Sequence, residues 1–359
     1  MFGKINEKER RIIALLGAFC LFLGALEYVI PKPLPFIRLG AANLPLLLAL
    51  PLSFPAFITL ILIKVLGQAL ISGTLVSYVF LFSLAGTAAS AVMMLVIYRL
   101  FFPHLIGFTG VSVCGALCST FAQILIARAL ILGESALLIA PPLLAMGTLT
   151  GLLLGLFCER FTKSSRWYQA VFTENNEKNL PYDEPSQNSG ETRRARNIPP
   201  SPPSVFTCAA ILCALAMIFV PVLWVRLGLL CLFWLYAQLR RRAGNPVFML
   251  IFFAGIVACT MLIPYGRLLF AWGPLRFTEG ALTAGLSKAA IVQGLMLFSK
   301  TFMPRELAFP GNFGRLLSAT LTTFGMIHLE KTSFTPAALM PSLDALLWKC
   351  WSGTDNDKA

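Results

Sequence analysis

Apolar blocks of about 17–25 residues recur along most of this chain, and each is long enough to cross a hydrocarbon core of about 30 Å. A water-soluble core has no use for so many long helices that are hydrophobic all round. Composition agrees: 57% of the residues are hydrophobic and 13% charged, against about a quarter charged in soluble domains. The expected fold class is therefore all-α: a polytopic transmembrane helix bundle of about six plus four spans, divided by one polar linker.

Six spans fit the first half, over residues 11–30, 44–52, 55–72, 78–100, 105–132 and 136–158. The basic residues Lys4, Lys8, Arg10 and Arg11 precede the first span, which reads as a retained helix with a cytoplasmic start. The second span is short and bounded by Pro45, Pro51 and Pro55, as a half-depth or broken helix would be. Irregular backbone survives at membrane depth only where protein or a water-filled cavity covers it, so such helices point to binding sites in transporters.

Between residues 159 and 204 the composition turns to Asn, Pro, Ser and Arg, a mix that buries little. Six crossings put this linker in the cytoplasm. Four more spans follow at 205–225, 227–239, 247–263 and 277–303, with Arg240, Arg241 and Arg242 as a cytoplasmic marker between the second and third. The even count places the C-terminus beside the N-terminus in the cytoplasm. Beyond Pro304, Phe313, Leu316, Leu317, Thr320, Leu321 and Phe324 recur at helical spacing, with Arg315 off the stripe. Residues 336–351 repeat the habit. Such helices lie on a membrane surface, dock on another protein, or simply pack. The expected organisation is a six-span domain (1–160), a linker (161–204), a second membrane domain (205–303) and amphipathic cytoplasmic helices (304–359). One loop runs against this topology: residues 31–43 carry Lys32 and Arg38 yet fall outside.

The net charge of +13 comes mainly from residues that flank spans, which excludes a compact nucleic-acid-binding domain. Eight of the nine cysteines sit inside apolar spans, where cysteine acts as a small hydrophobe. With only His104 and His328 beside them, no metal ligand set forms. There is no phosphate-binding loop, no nucleophile elbow and no aspartate cluster within a span to hold magnesium on a diphosphate. Neither a cofactor nor an enzymatic role for the chain alone is expected.

Ionisable and polar residues inside spans are costly, and each is a candidate for function. Glu27 lies near the outer end of the first span, and Asn43 opens the second. Lys64 and Gln68, four apart, share a face of the third, where they form a ligand site or an internal pair. Gln123 lies in the fifth span with Arg128 further out. Glu27 and Arg128 could equally snorkel or pair near the interface. Small residues at four-residue spacing, Gly147, Gly151 and Gly155 on the sixth span and Ala14 and Ala18 on the first, suit close packing within the bundle or docking of another membrane subunit.

The string Phe36-Ile-Arg-Leu-Gly-Ala-Ala-Asn-Leu-Pro45, with Lys64-Val-Leu-Gly-Gln-Ala-Leu-Ile-Ser-Gly-Thr74 and Phe82-Ser-Leu-Ala-Gly86, resembles the Gx transporter family. That family carries the older label heptaprenyl diphosphate synthase component I and is similar to the substrate-binding S components of energy-coupling factor (ECF) transporters. The resemblance covers residues 10–160 or so. It implies a six-helix fold whose outer loop closes over a small ligand, with Asn43, Lys64, Gln68 and Gln123 as pocket residues by position. It also implies that Ala14 and Ala18 match the motif by which S components dock their transmembrane T component. The strings Arg276-Phe-Thr-Glu-Gly280 and Leu297-Phe-Ser-Lys-Thr-Phe302 bear a fainter similarity to the T component, without its Ala-Arg-Gly type signatures.

The resemblance implies a subunit of an importer in the bacterial inner membrane, taking up a vitamin, precursor or similar small molecule. Its partners would be the lipid bilayer, ECF ATPase subunits, and a separate T component if the second half does not fill that role. Arg240, Arg241, Arg242 and Arg315 would then serve coupling. The older label implies the alternative, a membrane accessory to polyprenyl diphosphate or quinone synthesis.

Overall fold

A computed structural model describes residues 5–29, 40–172, 205–240, 245–272, 275–302, 311–329 and 339–352. Helix α1 (Glu7–Val29) and helix α3 (Phe54–Ser72) run side by side in the same direction. Gly17 lies against Ile63, Leu21 against Gly67, and Gly24 against Gln68, so position rises along both together. Their starts also meet, where the Ser53 amide donates to Glu9 Oε1 at 3.2 Å. Parallel neighbours need a return segment. It ends in a 3₁₀ turn (Ala41–Asn43) and the five-residue helix α2 (Leu44–Leu48), whose residues are all buried. The expected half-depth helix is there.

Helices α4 (Tyr78–Phe101), α5 (Phe108–Ala127, with a π-helical extension Arg128–Leu132) and α6 (Ser135–Ser164) follow as antiparallel neighbours. Gly86 of α4 meets Ser119 and Gln123 of α5, while Gly115 of α5 meets Ser90 and Met94. Along α6, Gly147, Gly151 and Gly155 face Thr120, Ala116 and Thr109 of α5 in turn. A Cβ at Gly155 would sit 2.5 Å from Thr109 Cα, so the two backbones close to a distance that only glycine permits there. The Ser112 hydroxyl donates across this seam to the Gly151 carbonyl at 2.7 Å. The glycine stripe therefore serves packing within the chain.

Two expectations for the end of this half change. The linker was expected from 161, but α6 continues to Ser164 and a short helix α7 (Arg166–Phe172) follows. Trp167, Tyr168 and Val171 are buried there, which holds the segment in place. Residues 173–204 lie outside the described residues, as do Lys32, Arg38, Arg241 and Arg242.

The second half contains α8 (Val205–Phe219), α9 (Leu223–Leu239), α10 (Pro246–Met261) and α11 (Glu279–Phe302). Arg226 reaches Ser287, Phe233 packs on Phe298 and Tyr236 stacks on Phe302, so α9 runs parallel to α11. Gly285 against Val257 and Gln293 against Met249 make α10 antiparallel to it. A two-stranded antiparallel hairpin, β1 (Leu268–Trp272) and β2 (Leu275–Thr278), joins α10 to α11 where the sequence reading began a span at 277.

The C-terminal helices differ most from expectation. Helix α12 (Gly311–Leu329) lies on α1 and α3, with Thr320 fully buried against Gly17 and Ile63. Its hydroxyls are satisfied locally: Thr320, Thr322 and Thr323 each donate to the carbonyl four residues back, at 2.8–3.0 Å. Helix α13 (Leu339–Ser352) rests on α7 and on the start of α1. Arg11 stands over the Trp351 ring at 5.2 Å, and Asp344 accepts the Arg166 and Trp167 amides at 3.2 and 3.1 Å. Leu317, Ile327, Leu343, Leu347 and Trp351 thus belong to the core of the first half, so 304–359 does not form a unit of its own. Their apolar stripe needs cover, and α1, α3 and α7 supply it.

The end of α11 also departs from the even count of crossings. That count puts it level with the first turn of α1. Instead Ser299 Oγ accepts from the Val76 amide at 3.0 Å, and Gly73 abuts Lys300, both in the turn after α3. This turn is at the far end of the α1–α3 pair. Helix α12 then carries the chain back along α1 and α3 to α13, at the end where Arg11 lies.

Five described helices are long and apolar enough to cross a membrane: α3, α4, α5 with its extension, α6 and α11. Shorter apolar helices are Ala210–Phe219 within α8, α9 and α10. The chain is an all-α membrane protein, with the hairpin as its one described sheet.

Candidate functional site

Lys64 is the eleventh residue of α3, about 15 Å along a helix rising about 1.5 Å per residue. That is half of a core of about 30 Å. The side chain is only 2% exposed. Its Nζ donates to Asn43 Oδ1, at the start of the broken helix. Gly40, with φ of 77°, opens the turn that presents Asn43, a left-handed conformation suited to glycine. The pairing joins irregular backbone to a buried cation near mid-depth.

From Lys64 a polar stripe climbs α3 at four-residue steps. Gln68 Nε2 donates to the Cys20 carbonyl at 3.3 Å and fills the notch left by Gly24. Ser72 Oγ donates to the Gln68 carbonyl at 2.7 Å and shares a hydrogen bond with Thr74. Glu27 lies buried one turn beyond Gly24 on α1. Asn43, Lys64, Gln68 and Glu27 are thus gathered on the α1–α3 seam.

The other candidates lie elsewhere. Gln123 is buried against Gly86, and its Nε2 donates to Ser119 Oγ at 3.0 Å, which makes it part of a separate α4–α5 seam with Ser83, Thr87 and Ser90. Arg128 is exposed and pairs with Glu134 at 2.7 Å across the α5–α6 turn, so it joins neither group. Ala18 is fully buried and Ala14 half-buried, at a level of α1 packed by α3 and α12. Arg240 is exposed over the Tyr236 ring, and Arg315 is exposed and bonded to Asn312 at 3.1 Å. Among the described residues, no three His, Cys, Asp or Glu side chains converge as a metal site would require.

Two polar groups escaped the sequence reading. Arg226 closes the end of α8 by donating to the Met217 and Ile218 carbonyls, each at 3.2 Å. An arginine inside the apolar run of α9 was the available signal. Asp344 serves as the N-terminal cap of α7 from far along the chain, and nothing local announces it.

Residues 16–161 match the family described as heptaprenyl diphosphate synthase component I. This component I segment takes in most of α1 and runs nearly to the end of α6, so Glu27, Asn43, Lys64, Gln68 and Gln123 all fall within it. The family label read from the strings at 36–45, 64–74 and 82–86 is the one matched. Residues 203–304 match a domain of unknown function (DUF8519), which covers α8 to α11. Helices α12 and α13 lie beyond both matches. No curated protein and no solved structure matches the chain.

Proposed function

We propose that this chain is a membrane subunit that binds a small molecule on the α1–α3 seam and passes it across the bilayer, with energy supplied by separate ATPase subunits of the ECF type. The observation that carries the reading is the buried Lys64–Asn43 pair, formed by a broken helix and an intact one near mid-depth. A half-depth helix with polar residues at its break is how transporters build a site inside the membrane. A lysine at that depth is costly and is kept for a purpose. Arg240 and Arg315, both exposed, are the described groups through which partners would engage. Differential contact with two ATPase states would drive the change. The chain alone performs no chemistry in this reading.

A second reading has a specific observation behind it. The family matched by the first half is described as a component of heptaprenyl diphosphate synthase, which favours a membrane accessory to polyprenyl diphosphate synthesis. Co-purification from native membrane, with mass spectrometry of bound proteins and small molecules, separates the two. ATPase partners with a retained water-soluble ligand support import. A soluble prenyl synthase as the stoichiometric partner overturns it in favour of the second reading.

A further inference from the structure

We infer that the site at Lys64 takes an oxyanion, the carboxylate or phosphate end of its ligand, with the Lys64 ammonium and the Asn43 amide nitrogen as donors. The inference rests on the binding reading above and adds the chemical class of what binds.

The orientation of Asn43 is set by its partner. An ammonium has donors only, so the Asn43 atom facing Lys64 Nζ is the carbonyl oxygen. The amide NH₂, with two more N–H donors, therefore points away from that bond. It lies beside Gly40, where even a Cβ would come within 3.5 Å of Nδ2. A side-chain-free residue in a left-handed conformation leaves that approach open. Lys64 keeps a formal positive charge near mid-depth. The site is thus rich in donors and positive in sign, and the ligand atom that complements it is an anionic oxygen. Gln68 does not alter the balance, because its Nε2 is engaged with the Cys20 carbonyl. Glu27, acceptor-only, stands further up α1, about 10 Å from the level of Lys64 at about 1.5 Å per residue. An anion is therefore held at the deep end of the stripe.

Two sources share this chemistry: a water-soluble carboxylate or phosphate delivered for import, and the diphosphate head of an isoprenoid. The test uses the full chain, purified in detergent, and native mass spectrometry with four probes: succinate, inorganic pyrophosphate, geranyl diphosphate and the neutral alcohol geraniol. At least one anionic probe is expected to bind, with geraniol unable to displace it. Preference for geranyl diphosphate points to the isoprenoid source, and preference for succinate or pyrophosphate to a soluble one.

Asn43→Asp is the decisive variant. It keeps an acceptor for Lys64, so the fold and the Lys64 bond survive, but it replaces the NH₂ donors with a negative charge. Anion binding should fall at least tenfold in Asn43→Asp and Lys64→Gln, while Lys64→Arg stays within tenfold of the parent. Size-exclusion profiles and melting temperatures identify any variant that fails to fold. Geraniol bound as tightly as geranyl diphosphate overturns the oxyanion inference. Unchanged anion binding in a folded Asn43→Asp also overturns it. A neutral molecule that co-purifies and is lost in Asn43→Ala leaves the binding reading intact while the oxyanion falls. If the parent retains nothing and binds no probe, both fall together.

Discussion

Helices α3 and α6 are alike in apolar length, yet 61% of the apolar window of α3 is buried within the chain and only 6% of that of α6. Lipid is as apolar as a protein core, so both environments accept the same side chains. What separates the helices is where their exceptional residues stand. On α6 the buried positions include Gly147, Gly151, Gly155 and Cys158 on one stripe, and leucines such as Leu149 and Leu153 face outward. On α3 burial extends around the helix and takes in Lys64. Small residues on a lipid-facing helix therefore mark a contact with its neighbour, whereas a charge on an enclosed helix marks a site.

The largest effect should come from filling the α6 stripe. Gly155→Leu places a side chain where Thr109 backbone already stands, and backbone cannot yield as a flexible side chain can. Overpacking costs about 1–3 kcal/mol in ordinary cores and more where the obstruction is backbone. A large drop in melting temperature, or loss of the monodisperse peak on size exclusion, is expected. Leu153→Ala, two residues away and 58% exposed, should leave the melting temperature almost unmoved in detergent. Equal damage at both positions would show that α6 is covered on its outer face, and the contrast with α3 would fail.

Lys64→Met comes next and reverses the pattern. It should spare the fold and remove the function, with at least a tenfold loss of ligand retention, about 1.4 kcal/mol. Thermal unfolding and mass spectrometry of the bound fraction measure the two effects separately. A variant that unfolds but still retains ligand in its folded fraction would make Lys64 a structural residue.

The α4–α5 seam supplies an intermediate case. Gln123 is buried like Lys64, but it is neutral and partnered by Ser119 on its own helix. Gln123→Leu should cost about 1 kcal/mol, the usual net worth of such a hydrogen bond. Ligand retention should not change. A parallel loss of retention would join this seam to the site on α1–α3.

These contrasts also show how far the sequence alone could be read. The third span was expected at 55–72 and forms at Phe54–Ser72, because apolar length and flanking prolines are local signals. Asn43, Lys64 and Gln68 were legible as polar residues in the wrong medium, and their pairing followed from the short helix between prolines. The hairpin was missed although Gly273-Pro274 punctuates two apolar runs; the length of the apolar stretch outweighed the turn. What no local pattern carried was long-range partnership. The stripe on α12 announced an apolar face but not α1 as its cover, and Asp344 caps a helix 177 residues earlier in the chain. For the same reason the α11–turn contact, which changes the count of crossings, had no signal in hydropathy.

Arg128 gives the smallest effect and tests the edge of the comparison. From sequence it belongs with the polar residues of the spans, but its side chain is 45% exposed and that of its partner Glu134 is 64% exposed. Exposed pairs of this kind are worth about 0–1 kcal/mol, because water and salt screen them and holding two long side chains costs entropy. Arg128→Ala should therefore shift the melting temperature little. A double-mutant cycle with Glu134→Ala should give a coupling under about 1 kcal/mol that shrinks as salt is raised. Retention of ligand should match the parent. A coupling well above that range, or a tenfold loss of retention, would mean that the pair is covered in the membrane-embedded protein, and Arg128 would rejoin the candidates for the site.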